Sequence, residues 1–119
     1  MTAEQAIARA DRLRPNVFSA SDKLLWLAGL DEKIRREILS GYDQPEDSGG
    51  LREDGERPLL VAAPYDELYI HYLNAQMDYA NGEFDRFNNA NAMFEAVYSA
   101  FRNAYNASHT HLQHGKKYW

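Results

Sequence analysis

The sequence predicts an all-α protein, a single small domain of about four to five helices. Three observations carry that expectation. Apolar residues recur at steps of three and four along most of the chain, which is the period of a helix face. The one apolar run without that period, Leu59-Leu60-Val61 before Pro64, is too short to build a sheet. The composition, 45% hydrophobic and 26% charged over 119 residues, suits one packed core and leaves no room for a second.

The first helix opens on Thr2-Ala3-Glu4-Gln5, a capping-box pattern. Ala3, Ile7, Ala10 and Leu13 follow at helical spacing. Pro15 ends the run, because the residue before a proline avoids the helical region. Ser19 or Ser21 starts a second helix, with Leu24, Leu27 and Ala28 along one side and Gly29 as its expected stop. Asp31 reads as the N-cap of a third helix that carries Ile34, Ile38 and Leu39 and closes at Gly41. A sharp corner is therefore expected at residues 29–31. These short helices occupy residues 1–42.

Residues 43–58 read as a flexible acidic loop. Within 43–57, Asp43, Glu46, Asp47, Glu53, Asp54 and Glu56 stand against only Arg52 and Arg57, so this stretch supplies −4 of the net charge of −5. It also holds Pro45, Gly49, Gly50 and Gly55, with Leu51 its sole aliphatic residue. Such a segment cannot bury enough apolar surface to offset the entropy of ordering it. It is either a solvated spacer or a deliberately charged surface.

The strongest periodicity lies in residues 65–107. Ile70, Leu73, Met77, Ala80, Phe84, Phe87, Asn91, Phe94, Tyr98, Phe101 and Tyr105 form a seam stepping by three and four, with Asn91 its polar, register-setting member. Asn81-Gly82 interrupts it, and glycine enters the left-handed region that ends helices. Two architectures follow: an antiparallel hairpin of helices near 65–81 and 83–106, or one long helix with a break. The Asn-Gly pair favours the hairpin and the unbroken seam phase favours the single helix. Residues 108–119 read as a mobile tail.

Several function classes are disfavoured. The absence of Cys removes disulfides, thiolate metal sites and cysteine nucleophiles. No apolar run approaches the ~20 residues of a membrane span. The opening MTAEQAIARADRLR is too charged for a signal-peptide core, so an intracellular product without membrane attachment is expected. A net charge of −5 argues against general binding of nucleic-acid backbones.

His109, His111 and His114 have the spacing of a metal tract but lack an acid to complete it. His71 has Leu68 three residues before it, where a di-iron bundle needs a glutamate. Asn106-Ala107-Ser108 matches a glycosylation sequon without a secretory signal. Asn88, Asn89 and Asn91 have no nucleophile or base beside them. No phosphate loop, catalytic triad or carboxylate pair can be assembled, so neither catalysis nor a metal or cofactor is expected.

Aromatics are the remaining signal, at 13% of the chain. Tyr65, Tyr69 and Tyr72 fall on one helical face beside Asp66, and Tyr118 and Trp119 close the sequence. Tyrosine offers a large apolar body with a polar tip, which suits a partner interface, although covering the edge of the helical bundle is an equally plain use.

The run APYDELYIHYLNAQMDYANGEFDRFNNANAMFEAVYSAFRNAYNASHTH at 63–111, with DKLLWLAGLDEKIRREIL at 22–39, resembles a group of small proteins from tailed-phage and prophage head-morphogenesis modules. The tyrosine-rich segment 64–72, Asn81-Gly82-Glu83 and Asn88-Asn89 carry the likeness most distinctly. These proteins are similar to the head–tail connector or adaptor class. The resemblance implies a helical subunit of a ring, commonly of about twelve copies around one axis, that sits under the portal. It further implies contacts to portal and neck or tail-completion proteins, DNA passing through without specific binding, and location in the virion neck after assembly in the bacterial cytoplasm. An acidic loop facing the lumen would repel that DNA. The alternative class is a stand-alone helical interaction module, such as a dimeric regulator recruiting a partner through residues 65–72.

Overall fold

The computed structural model describes residues 1–39, 56 and 58–117, with side chains through 108. The described residues form four α-helices, α1 (Ala3–Leu13), α2 (Ala20–Ile34), α3 (Glu67–Ala80) and α4 (Phe84–Lys117), with a π-helical turn, Arg35–Leu39, continuing α2. The all-α reading holds. In α1 the capping box is present: Thr2 Oγ1 accepts from Gln5 N at 3.2 Å, and Gln5 Oε1 accepts from Thr2 N at 2.9 Å. The buried stripe of α1 is Ala3, Ala6 and Ala10, with Ile7 partly covered and Leu13 left exposed, a shift from the expected face. Three alanines on the inner side let α1 lie close against the core.

The expected corner at residues 29–31 is absent. From its N-cap Ser19, α2 runs straight through Gly29 and Asp31 and buries Leu27, Leu30 and Ile34. A helix cap was not the task of Asp31; the tertiary fold uses it instead, as set out below. The π turn then carries Ile38 and Leu39 into the core. The chain returns at Pro58, which bridges to Thr2, and Leu59 N donates to Met1 O at 3.0 Å. Leu59 and Val61 are buried, so the short apolar run, bent at residues 60–61, acts as a plug between helices.

α3 and α4 form the hairpin. Gly82 has φ +73, the left-handed conformation an Asn-Gly stop requires, and Gly82 N donates to Tyr79 O at 3.1 Å. Ring pairs Tyr65–Phe101, Tyr72–Phe94 and Tyr79–Phe87 lie at 6.0, 5.3 and 5.3 Å. Each seven-residue step forward on α3 is matched by seven back on α4, so the helices are antiparallel and in register. Pairs of this kind contribute about 1 kcal/mol each beyond their buried area.

The seam itself needs a correction. On an α-helix Ile70 and Met77 lie roughly 140–160° around from Tyr72, which puts them on the side away from α4. In α3 the buried Ile70, Leu73 and Met77 therefore serve the α1 and α2 side, and the tyrosines meet α4. The continuous seam phase came from burial of α3 on both sides. α4 also continues past the expected end near 107 to Lys117, so the backbone of the expected tail is helical to that point.

Candidate interaction surface

Of the tyrosines expected at a partner interface, Tyr69 is wrongly placed by the sequence reading. It is 0% exposed and belongs to the core. Its hydroxyl donates to Asp31 Oδ1 at 2.6 Å and accepts from Val61 N at 2.9 Å, while Asp31 Oδ2 accepts from Leu60 N at 3.2 Å. This cluster ties α2, α3 and the plug at residues 60–61. Burial lifts the Asp31 carboxyl from 3.8 to about 6, against the opposing pull of its two donors and the Arg35 charge. Burial, together with the Asp31 charge, also pushes the Tyr69 phenol well above its ordinary value. Asp31 is the residue that sequence reasoning missed. An acid on the face of Leu27, Ile34 and Ile38 was the available signal, masked by its equal suitability as an N-cap.

Tyr65 and Tyr72 are half-buried in the ladder, so each keeps an edge toward solvent. Burial raises the Tyr72 phenol. Asp66 occupies the N-cap position of α3 without making a side-chain cap bond, and lies 3.9 Å from the Met1 amino nitrogen. His71 is half-buried; desolvation lowers its pKa, and Glu67 pulls it partly back. The neighbouring Glu67 is held by Arg9 Nη2 at 2.6 Å.

Among the described residues, two exposed surfaces stand out. The first is the tip of the hairpin, where Tyr79 and Phe84 are 61% and 57% exposed with rings 5.9 Å apart. Beside them a groove of about 320 Å³ opens between the end of α1 and the turn, lined by Leu13, Arg14, Met77, Asp78, Glu83 and Arg86 among others. Arg14 Nε clamps the buried Asp78 carboxylate at 3.1 Å to Oδ1 and 3.3 Å to Oδ2, and Arg86 pairs with Glu83 at 3.2 Å.

The second is the outer face of α4. Phe94, Tyr98 and Ala90 are buried on its inner side. Outward lie Asn88, Asn89, Ala92, Met93, Ala96, Ser99, Ala100 and Asn103, all exposed. From 88 to 108 the only charges are Glu95 and Arg102. A helix face meant only for water is normally charged. Asn91 sits half-buried at the margin of the inner side. Tyr98 anchors this helix to the end of α2: its hydroxyl donates to Glu37 Oε1 at 2.6 Å, and Lys33 and Arg102 lie over its ring at 5.4 and 5.1 Å. Burial and the Glu37 contact push its phenol upward.

Glu56 is exposed and takes part in an interaction of its own. Asp43, Glu46, Asp47, Glu53, Asp54, Tyr118 and Trp119 lie outside the described residues, as do the side chains of His109, His111 and His114. Among the described residues there is no cluster of three His, Cys, Asp or Glu able to hold a metal ion, and no helix long and apolar enough to cross a membrane. Comparison with family models, with curated proteins and with solved structures gave no match.

Proposed function

We propose that the chain is a structural subunit of a phage or prophage head–tail connector ring, joining portal to neck proteins around the DNA channel. The observation that carries this reading is the outer face of α4, almost free of charge, together with the exposed aromatic tip, beside a partner helix, α3, that is buried along most of its length. A helix face of Ala, Ser, Asn and Met lets a neighbouring element approach closely without desolvating charge. A ring needs head-to-tail contacts between two different patches, and two are present.

The likeness of residues 22–39 and 63–111 to connector subunits supplies the partners: further copies of the chain, the portal protein and neck or tail-completion proteins. Residues 43–57 would give each subunit about −4 of charge beside the channel, repelling a duplex that must slide without being gripped.

Negative-stain imaging of the purified chain, alone and with the portal protein from the same source, tests the reading. Rings with a central opening support it. A stable dimer without an opening, alone and with portal, overturns it in favour of a helical regulator. Exchanging the six loop acids for Asn and Gln should slow DNA passage; unchanged packaging and ejection would remove the loop from the account.

A further inference from the structure

The two charges that α4 carries between residues 88 and 108, Glu95 and Arg102, are of opposite sign and both exposed. Seven residues apart, they stand on the same flank of the helix, roughly 10.5 Å from each other at 1.5 Å per residue. Arg102 lies over the Tyr98 ring at 5.1 Å, and among the described residues neither Arg102 nor Glu95 has an ion-pair partner. Beside them run Ala92, Ala96, Ser99 and Asn103, at i, i+4, i+7 and i+11, on the exposed side opposite Phe94 and Tyr98.

We infer that this face pairs with the same face of a second copy, the two α4 helices running antiparallel about a two-fold axis near residue 98. The order of the charges selects both the occupant and the direction. Glu95 and Arg102 lie three and four positions either side of that centre, so in an antiparallel pair Glu95 of each copy meets Arg102 of the other, twice over. A parallel pair in register would set Glu95 against Glu95 and Arg102 against Arg102, which repels. To within a residue, the same centre also places Ala96 opposite Ser99 and Ala92 opposite Asn103. Side chains this small let the helix axes approach to about 8 Å, the close end of the range for packed helices. At that separation the flanking Glu95 and Arg102 reach across the joint, as charges beside a coiled-coil seam do. Neither charge is buried by the contact, so the pairs fix direction more than they add affinity. A single helix pair built on small residues belongs with the weak interfaces, below about 1,200 Å² of total surface. Being two-fold, this contact differs from the head-to-tail joint of a ring and goes beyond the ring reading: it is the form of the chain apart from its portal.

Sedimentation velocity of the full chain and its charge-exchanged variants, with circular dichroism to check equal helicity, tests the pair. The native chain should dimerise with a Kd of roughly 1–100 μM. Glu95→Arg turns two attractions into two repulsions and should weaken pairing roughly tenfold. Added salt should then tighten that variant while it loosens the native pair. Adding Arg102→Glu to Glu95→Arg should restore native pairing, and Glu95→Arg mixed with a separate Arg102→Glu chain should pair as well as the native chain. Should Arg102→Glu lose helicity, the opposite salt responses of the native chain and Glu95→Arg decide alone. A native chain that forms no dimer at any concentration, a Glu95→Arg chain that pairs as the native one does, or an equally helical double variant no better than the single one overturns the pair. Rings formed by the native chain alone and indifferent to the exchange overturn the pair and leave the ring reading standing. Dimers that obey the exchange and persist unchanged beside the portal protein keep the pair and overturn the ring.

Discussion

α3 and α4 share an aromatic ladder yet live in different surroundings. α3 buries Leu68, Tyr69, Ile70, Leu73, Asn74, Ala75, Met77 and Asp78, covered by α1 and α2 on one side and α4 on the other. Through residue 108, α4 buries only Ala90, Phe94 and Tyr98. The difference teaches that α3 is the structural axle, where even charges are internal and must be paired, whereas α4, among the described residues, is buried along one side and exposed along the other. Substitutions on the two helices should therefore behave differently, and the contrast can be broken or sharpened by graded experiments.

The largest effect is expected in α3. Leu73→Ala should cost about 3–4 kcal/mol in denaturant unfolding, through lost transfer energy and a cavity closed in on both sides. A loss below about 1 kcal/mol would mean that α3 is not enclosed as described.

Next comes the buried polar pairing. Arg14→Ala leaves the Asp78 carboxylate inside the protein without its guanidinium and should cost about 3 kcal/mol. Tyr69→Phe strips a donor from Asp31 and an acceptor from Val61 N, for about 2–3 kcal/mol. It also removes a contact that favours the ionised form, so the Asp31 titration should move above about 6.

The pH dependence has a definite sign. The folded Asp31 holds its proton more tightly than the ordinary value of 3.8, so its stabilising contribution is full below pH 3.8 and lost as the pH rises through about 6. Over that window the native chain should lose about 2–3 kcal/mol that an Asp31→Asn variant does not, read from unfolding midpoints at several pH values. An identical slope in both would contradict the burial of Asp31.

Smaller effects bound the comparison. Asn74 is buried with its Oδ1 lacking a hydrogen-bond partner, so Asn74→Leu should raise stability by about 1 kcal/mol. On the outer face of α4, Met93→Ala should change stability by no more than about 0.5 kcal/mol.

Much of the architecture was legible because local signals agreed with tertiary ones. The Thr2 capping box, Pro15, Ser19 and Asn81-Gly82 each mark a boundary through backbone chemistry that needs no knowledge of the rest of the chain. Asp31 and Gly29 misled for the converse reason. Their local preference for caps and stops was overridden by packing of α2 against α3, and the partner of Asp31 lies 38 residues away in sequence. Tyr69 was misread similarly. Its spacing with Tyr65 and Tyr72 is compatible with one exposed face, and only the fold shows that α1–α2 and α4 enclose α3 from both sides. The tip groove was not legible at all, since it joins the end of α1 to a turn more than 60 residues later. The nearly uncharged face of α4 was present in the sequence but hidden behind its stronger aromatic seam.

The account stands on the outer face of α4 being a joint between copies. Sedimentation velocity of the native chain and of an Ala96→Glu, Ala100→Glu variant, over a roughly hundredfold concentration range, tests this directly. The native chain should grow to the mass of an assembly while the variant, equally helical and equally stable, keeps the mass of one chain. A native chain that stays monomeric at the highest concentration, or a variant that assembles as readily, would contradict it.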